Sequence, residues 1–131
     1  MADDETFTAE TITTAQWLRI IKPILKDFAA DRQIQEREWF SEHPKILSPT
    51  EMICRLEGYC FRDTVADPSS REVADLSDTQ RASCLRFADL VDAFARHAKG
   101  IFLERDVIND PEWDKLRAAA KELVRQLYPE T

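Results

Sequence analysis

Apolar residues recur every three to four positions in four stretches of the chain, and each stretch opens on a helix-start signal. The first begins at Thr13, three residues before Gln16, the spacing of a capping box. Trp17, Ile20, Ile21, Ile24, Leu25 and Phe28 then line one broad face. Pro23 lies inside this run and lacks a backbone donor, so the pattern predicts a kink near Arg19–Pro23. From Ala30 to His43 the chain is mostly polar, with Ile34, Trp39 and Phe40 as exceptions, and reads as a partly buried continuation of the same helix. The second stretch opens on Ser48, with Pro49 at the first helical position and Glu51 closing the box. It is expected to reach about Thr64 with Ile53, Leu56 and Cys60 facing inward. The third opens at Ser77 and carries the clearest stripe: Cys84, Phe87, Val91, Phe94, Ala98 and Ile101. Arg96, His97, Lys99 and Gly100 have the composition of a helix end. The fourth opens at Asp110–Pro111, carries Trp113, Leu116, Ala120, Leu123 and Leu127, and ends by Pro129.

No stretch alternates with the period of two that marks a strand, and short connectors between long helices favour antiparallel neighbours. The predicted fold is an all-α, up-down antiparallel bundle of four main helices, the first long and kinked near Pro23. Residues 1–12 read as an acidic, disordered or loosely ordered tail and 13–131 as one bundle domain. Whether residues 101–108 are helical stays open. Two glycines in 131 residues agree with the helical reading, because β-rich folds spend glycine on turns. The acidic start lacks the basic and apolar regions of a signal peptide, and no apolar run approaches a membrane span. Three cysteines without framework spacing suit a reducing compartment. A cytoplasmic location is therefore expected.

The cysteines are the first place to look for chemistry. Cys54 and Cys60 stand six residues apart, about 120° around a helix, too far for one ion or one disulfide. Cys54, Cys60, Cys84 and His97 would meet only if the bundle folded them together. The expectation is that they behave as small buried hydrophobes, with no metal and no cofactor. The Glu-x-x-His pairs of carboxylate di-metal bundles are absent, since Phe40 and Phe94 stand three before His43 and His97. Gly58 reads as a point of close helix approach or a tolerated defect.

Arg37 and His43 in REWFSEH have the form R-x5-H. This fragment resembles the motif of the small all-helical HEPN ribonucleases. The resemblance implies His43 as general acid/base and Arg37 as phosphate holder. It covers this fragment alone.

Charge separates the remaining readings. The chain carries a net −7, which disfavours sequence-independent nucleic-acid binding. The acids are uneven: residues 63–78 hold Asp63, Asp67, Glu72, Asp75 and Asp78 against Arg71, and residues 101–114 hold five acids against Arg105. In an up-down bundle the acidic start of the chain and the 63–78 segment share one pole. Acids at helix starts and in connectors are also favoured by the macrodipole and by solvation alone. As a binding surface, that pole would steer a basic partner. Trp39 and Phe40, set in a charged stretch, are a second pair of contact candidates, although such residues often cover the end of a core. The reading is a small binding protein of inhibitor, immunity or anti-defence type, directed at a basic protein such as a nuclease or a nucleic-acid-handling complex. The alternatives are a ribonuclease using Arg37 and His43, and a structural oligomer subunit or adaptor.

Overall fold

The computed structural model describes residues 12–129; apart from Ile12, the tail expected over 1–12 lies outside them. The described chain is all-helical: α1 (Thr14–Ala29), α2 (Arg32–Trp39), α3 (Pro49–Gly58), α4 (Phe61–Ala66), α5 (Asp78–His97), α6 (Glu104–Val107) and α7 (Pro111–Leu127), with a 3-10 turn at Arg71–Val73. No β-strand occurs among the described residues.

The helix starts follow local chemistry. Complete capping boxes form at Thr13/Gln16, Ser48/Glu51 and Ser77/Gln80, each satisfying two donors that the first turn leaves without partners. Asp110 caps α7 through the Glu112 N–H, with Pro111 in the first turn. At its other end α5 closes with a Schellman motif: the Gly100 N–H donates to the Ala95 carbonyl and the Lys99 N–H to that of Arg96. The left-handed position falls on Lys99 (φ +56°) as well as Gly100 (φ +76°).

Two expected helices are broken. α1 continues through Pro23 and ends at Ala29; the interruption comes at Ala30 and Asp31, whose ψ angles of 143° and 152° are extended. The Gln35 amide explains it. Its Nε2 donates to the Asp27 and Phe28 carbonyls at 3.0 and 3.2 Å, replacing the backbone donors a continuing helix would have supplied. The second stretch splits into α3 and α4 at Cys60, which sits at φ +54° and donates its N–H to the Glu57 carbonyl. Cysteine occupies the left-handed position that usually falls to glycine, while Gly58 ends α3 with nothing within 4 Å of where a Cβ would lie. Gly58 is therefore no close-approach site, and Cys60 is exposed rather than inward-facing.

Three long helices carry the core. Tyr128, just after α7, donates its hydroxyl to the Leu18 carbonyl near the start of α1, while Phe28 near the end of α1 meets Trp113 at the start of α7. These helices are therefore antiparallel. Ser83 bonds Gln126, and Phe94 packs on Trp113, so α5 also runs against α7 and parallel to α1. Phe28 touches Phe87 edge-on at 5.2 Å and Trp113 at 5.6 Å, tying the three together. α3 packs on α1, and α4 on α5. The predicted stripes of α5 and α7 are buried through Phe94 and Leu127. The α5 stripe ends there: Ile101 lies beyond the helix and is 66% exposed.

One polar group sits at the centre. Gln35 is fully buried, and its Oε1 accepts from Trp113 Nε1 and from Arg117 Nε and Nη2 at 3.1, 3.0 and 2.8 Å. Arg117 also pairs with Asp114 at 2.7 Å. A single amide thus joins the end of α1, α2 and the first turns of α7.

Candidate protein-binding face

The connector after α4 is held against the start of α1. The Thr14 hydroxyl donates to the Arg71 carbonyl at 3.0 Å and accepts from the Asp75 N–H at 3.2 Å. This junction also adjoins the start of α5 and the end of α7, because Ser77 caps α5 and Gln80 bonds the Gln126 carbonyl. Asp67, Glu72, Asp75 and Asp78 are carried by this connector and the first turn of α5, and Asp63 by α4.

Asp63, Asp67, Asp75 and Asp78 are exposed and Glu72 is half-buried. Among the described residues none of the five is in an ion pair. Asp67 accepts from the Ser69 hydroxyl and N–H at 2.8 and 3.0 Å, and these bonds hold its carboxyl below the ordinary carboxylate value. Glu72 accepts from the Ser70 hydroxyl at 2.6 Å. Asp63, Asp67 and Glu72 border one open concavity with Thr64, Ser69, Ser70 and the cationic Arg71. The opposite end is different. There Asp110 meets His97 at 3.0 Å, Glu112 meets Lys115 at 3.1 Å and Asp114 meets Arg117. Asp31 is likewise engaged by Lys121.

The aromatic pair separates. Trp39 is 7% exposed, stacks edge-on against Trp113, and donates its indole N–H to the Leu47 carbonyl at 2.9 Å. It is a core residue, which removes the exposure on which a contact role rested. Phe40, the next residue, is 56% exposed. α2 has ended there, so the two side chains diverge.

Arg37 is exposed and leans on Glu38 at 3.6 Å, and His43 is exposed in the loop after α2. Cys54 and Cys60 are exposed and Cys84 is buried, where desolvation pushes its thiol up to about 12. Two of the three cysteines therefore do not pack as small hydrophobes. No cluster of three or more His, Cys, Asp or Glu side chains is placed to hold a metal among the described residues, and no helix there is long and apolar enough to cross a membrane.

Sequence reasoning passed over Arg62. Its guanidinium bridges Asp89 at 2.5 Å and Asp92 at 3.1 Å, fastening α4 to α5. The signal was weak, since the partners lie 27 and 30 residues away. No family model, curated protein or solved structure matches the chain.

Proposed function

We propose that this chain is a protein-binding module that presents the acids of residues 63–78 to a basic partner, in the manner of an inhibitor, immunity or anti-defence protein directed at a nuclease or a nucleic-acid-handling complex. The supporting observation is the asymmetry of ion pairing. Asp63, Asp67, Glu72, Asp75 and Asp78 are unpaired among the described residues, whereas three acids of the 101–114 segment meet His97, Lys115 and Arg117. Unpaired carboxylates keep their long-range field, and fields of that kind accelerate encounter with an oppositely charged surface. Glu112 and Asp114, paired with a lysine and an arginine, are locally neutralised.

The test is capture and kinetics. Immobilised protein is challenged with host-cell lysate, and each captured basic protein is re-measured in purified form. Association should slow as salt rises from 0.01 to 0.1 M, where the screening length contracts from about 30 to about 10 Å. Asp67→Asn/Asp75→Asn/Asp78→Asn should slow association about three- to tenfold at low salt, with a smaller change in dissociation. Glu104→Gln/Asp106→Asn serves as the control at the other end. Equal association rates for the connector variant and the native protein would refute the reading.

A further inference from the structure

Beside the acidic connector runs a groove of about 250 Å³ between the α3–α4 joint and α5. Its floor is apolar and already ordered: Leu56, Phe61 and Val91 are each no more than 3% exposed. Its rim carries Glu57, Asp63 and Asp92 against Arg62 alone. That arginine is committed, because Asp89 and Asp92 both hold it. The exposed thiol of Cys60 stands on the same rim. Asp63 borders both this groove and the connector concavity, so the two adjoin, the first with an apolar floor and the second lined by Asp63, Asp67 and Glu72 against Arg71.

We propose that the groove takes an apolar side chain from a cationic amphipathic segment of the partner, whose flanking lysines or arginines lie along the rim and the connector acids; this rests on the binding function proposed above. Three features of the groove select the occupant. Its volume falls below the roughly 300–1,000 Å³ of small-molecule clefts, so it fits a side chain or two rather than a cofactor. Its rim is anionic, which favours a basic segment and repels nucleic acid. Two other occupants have the wrong sign: residues 1–14 carry four acids and no base, and a second copy of the chain carries a net −7. An apolar anchor seated in a preformed cleft and ringed by complementary charge is a usual source of affinity at a protein interface.

Cys60 supplies the readout. The rate of its alkylation by N-ethylmaleimide is followed by peptide mass mapping, with exposed Cys54 as internal control. The probes are a 16-residue Leu/Lys peptide patterned as an amphipathic helix, a scrambled peptide of the same composition, and a Lys/Ser peptide of equal charge. The amphipathic peptide should slow alkylation of Cys60 at least fivefold and leave Cys54 unchanged, and the other two should protect neither. Pre-alkylated Cys54→Ser protein, its fold checked by circular dichroism, should lose at least tenfold in affinity for the amphipathic peptide. If the Lys/Ser peptide binds as tightly as the amphipathic one, and binding falls with Asp67→Asn/Asp75→Asn/Asp78→Asn, the groove proposal fails while the acidic-face reading stands. If the amphipathic peptide protects Cys60 equally in that triple variant, the groove stands and the acidic-face reading fails. Without peptide, Cys60 alkylation that slows with protein concentration would assign the groove to a second copy. Acceleration by Phe7→Ala would assign it to the chain's own N-terminal segment. Either result overturns the proposal.

Discussion

Replacing Gln35 by alanine should be among the most damaging single changes in the molecule. The amide makes two bonds to the closing carbonyls of α1 and accepts three from Trp113 and Arg117. Truncation strands the Trp113 indole N–H and the Nε and Nη2 donors of Arg117, a residue only 8% exposed that keeps Asp114 on its Nη1, and it opens space in a close-packed region. A buried donor left without a partner costs about 1–3 kcal/mol, and a charged one more. Allowing for relaxation and water entry, the expected loss is about 3–5 kcal/mol, a fifth or more of the stability of a typical domain. Urea denaturation followed at 222 nm gives the value, provided the slope matches that of the native protein. The companion variant Gln35→Leu/Arg117→Leu removes the amide and the guanidinium together and leaves the Trp113 indole N–H and the Asp27 and Phe28 carbonyls without that partner. It should cost less than the sum of the two single variants by about 1 kcal/mol or more, because no guanidinium is then left buried without its amide acceptor. A loss below about 1 kcal/mol for Gln35→Ala, or additive single effects, would mean that the amide does not organise the junction of α1, α2 and α7.

Far-UV circular dichroism should show a helix-dominated spectrum well above the soluble-protein average of about one third helix, and a strong β component would contradict the fold. Phe94→Ala should cost about 3–5 kcal/mol by denaturant titration, since Phe94 packs on both Trp113 and Phe102. In native protein a thiol reagent such as Ellman's should modify Cys54 and Cys60 readily, and reach Cys84 only on unfolding, because burial holds that thiol up near 12. Cys60→Gly should be neutral or stabilising by up to about 1 kcal/mol, and Cys60→Val destabilising by about 1–2 kcal/mol, because a β-branched residue fits the left-handed region poorly; the opposite order in thermal melts would contradict the backbone assignment. Partial burial pushes the Asp27 carboxyl above its ordinary value, against the opposing bond from the Leu47 N–H. The native state therefore holds that proton more tightly than the unfolded chain. This contribution is present at acid pH and is lost as pH rises through the folded value. Asp27→Asn, whose amide oxygen keeps the Leu47 bond, should gain stability relative to the native protein on going from pH 3 to pH 7; a relative loss would reverse the sign of the argument.

What could be read along the chain was local. The capping pairs at Thr13, Ser48 and Ser77 act over three residues, so the sequence alone locates those helix starts, and the structure shows each box closed. The stripes of α5 and α7 are also local regularities, and burial follows them from Cys84 to Phe94 and from Trp113 to Leu127. The uneven placement of acids was legible too, and the bases of Glu112 and Asp114 lie only three residues on; the partners of Asp110 and Asp31 were not legible, because His97 lies 13 residues from Asp110 and Lys121 lies 90 from Asp31. Tertiary structure decided the rest. Gln35 looked like one more polar residue in a polar stretch until Trp113 and Arg117, 78 and 82 residues away, placed their donors around it. The same folding gave Trp39 a neighbour in Trp113 and an acceptor in Leu47, and moved it from the surface to the core. The break at Cys60 puts a cysteine where pattern favours glycine, a choice no spacing rule encodes. A cap is satisfied within one turn of its own helix. The burial of an amide or an indole is satisfied only by whatever distant groups the packed helices bring to it.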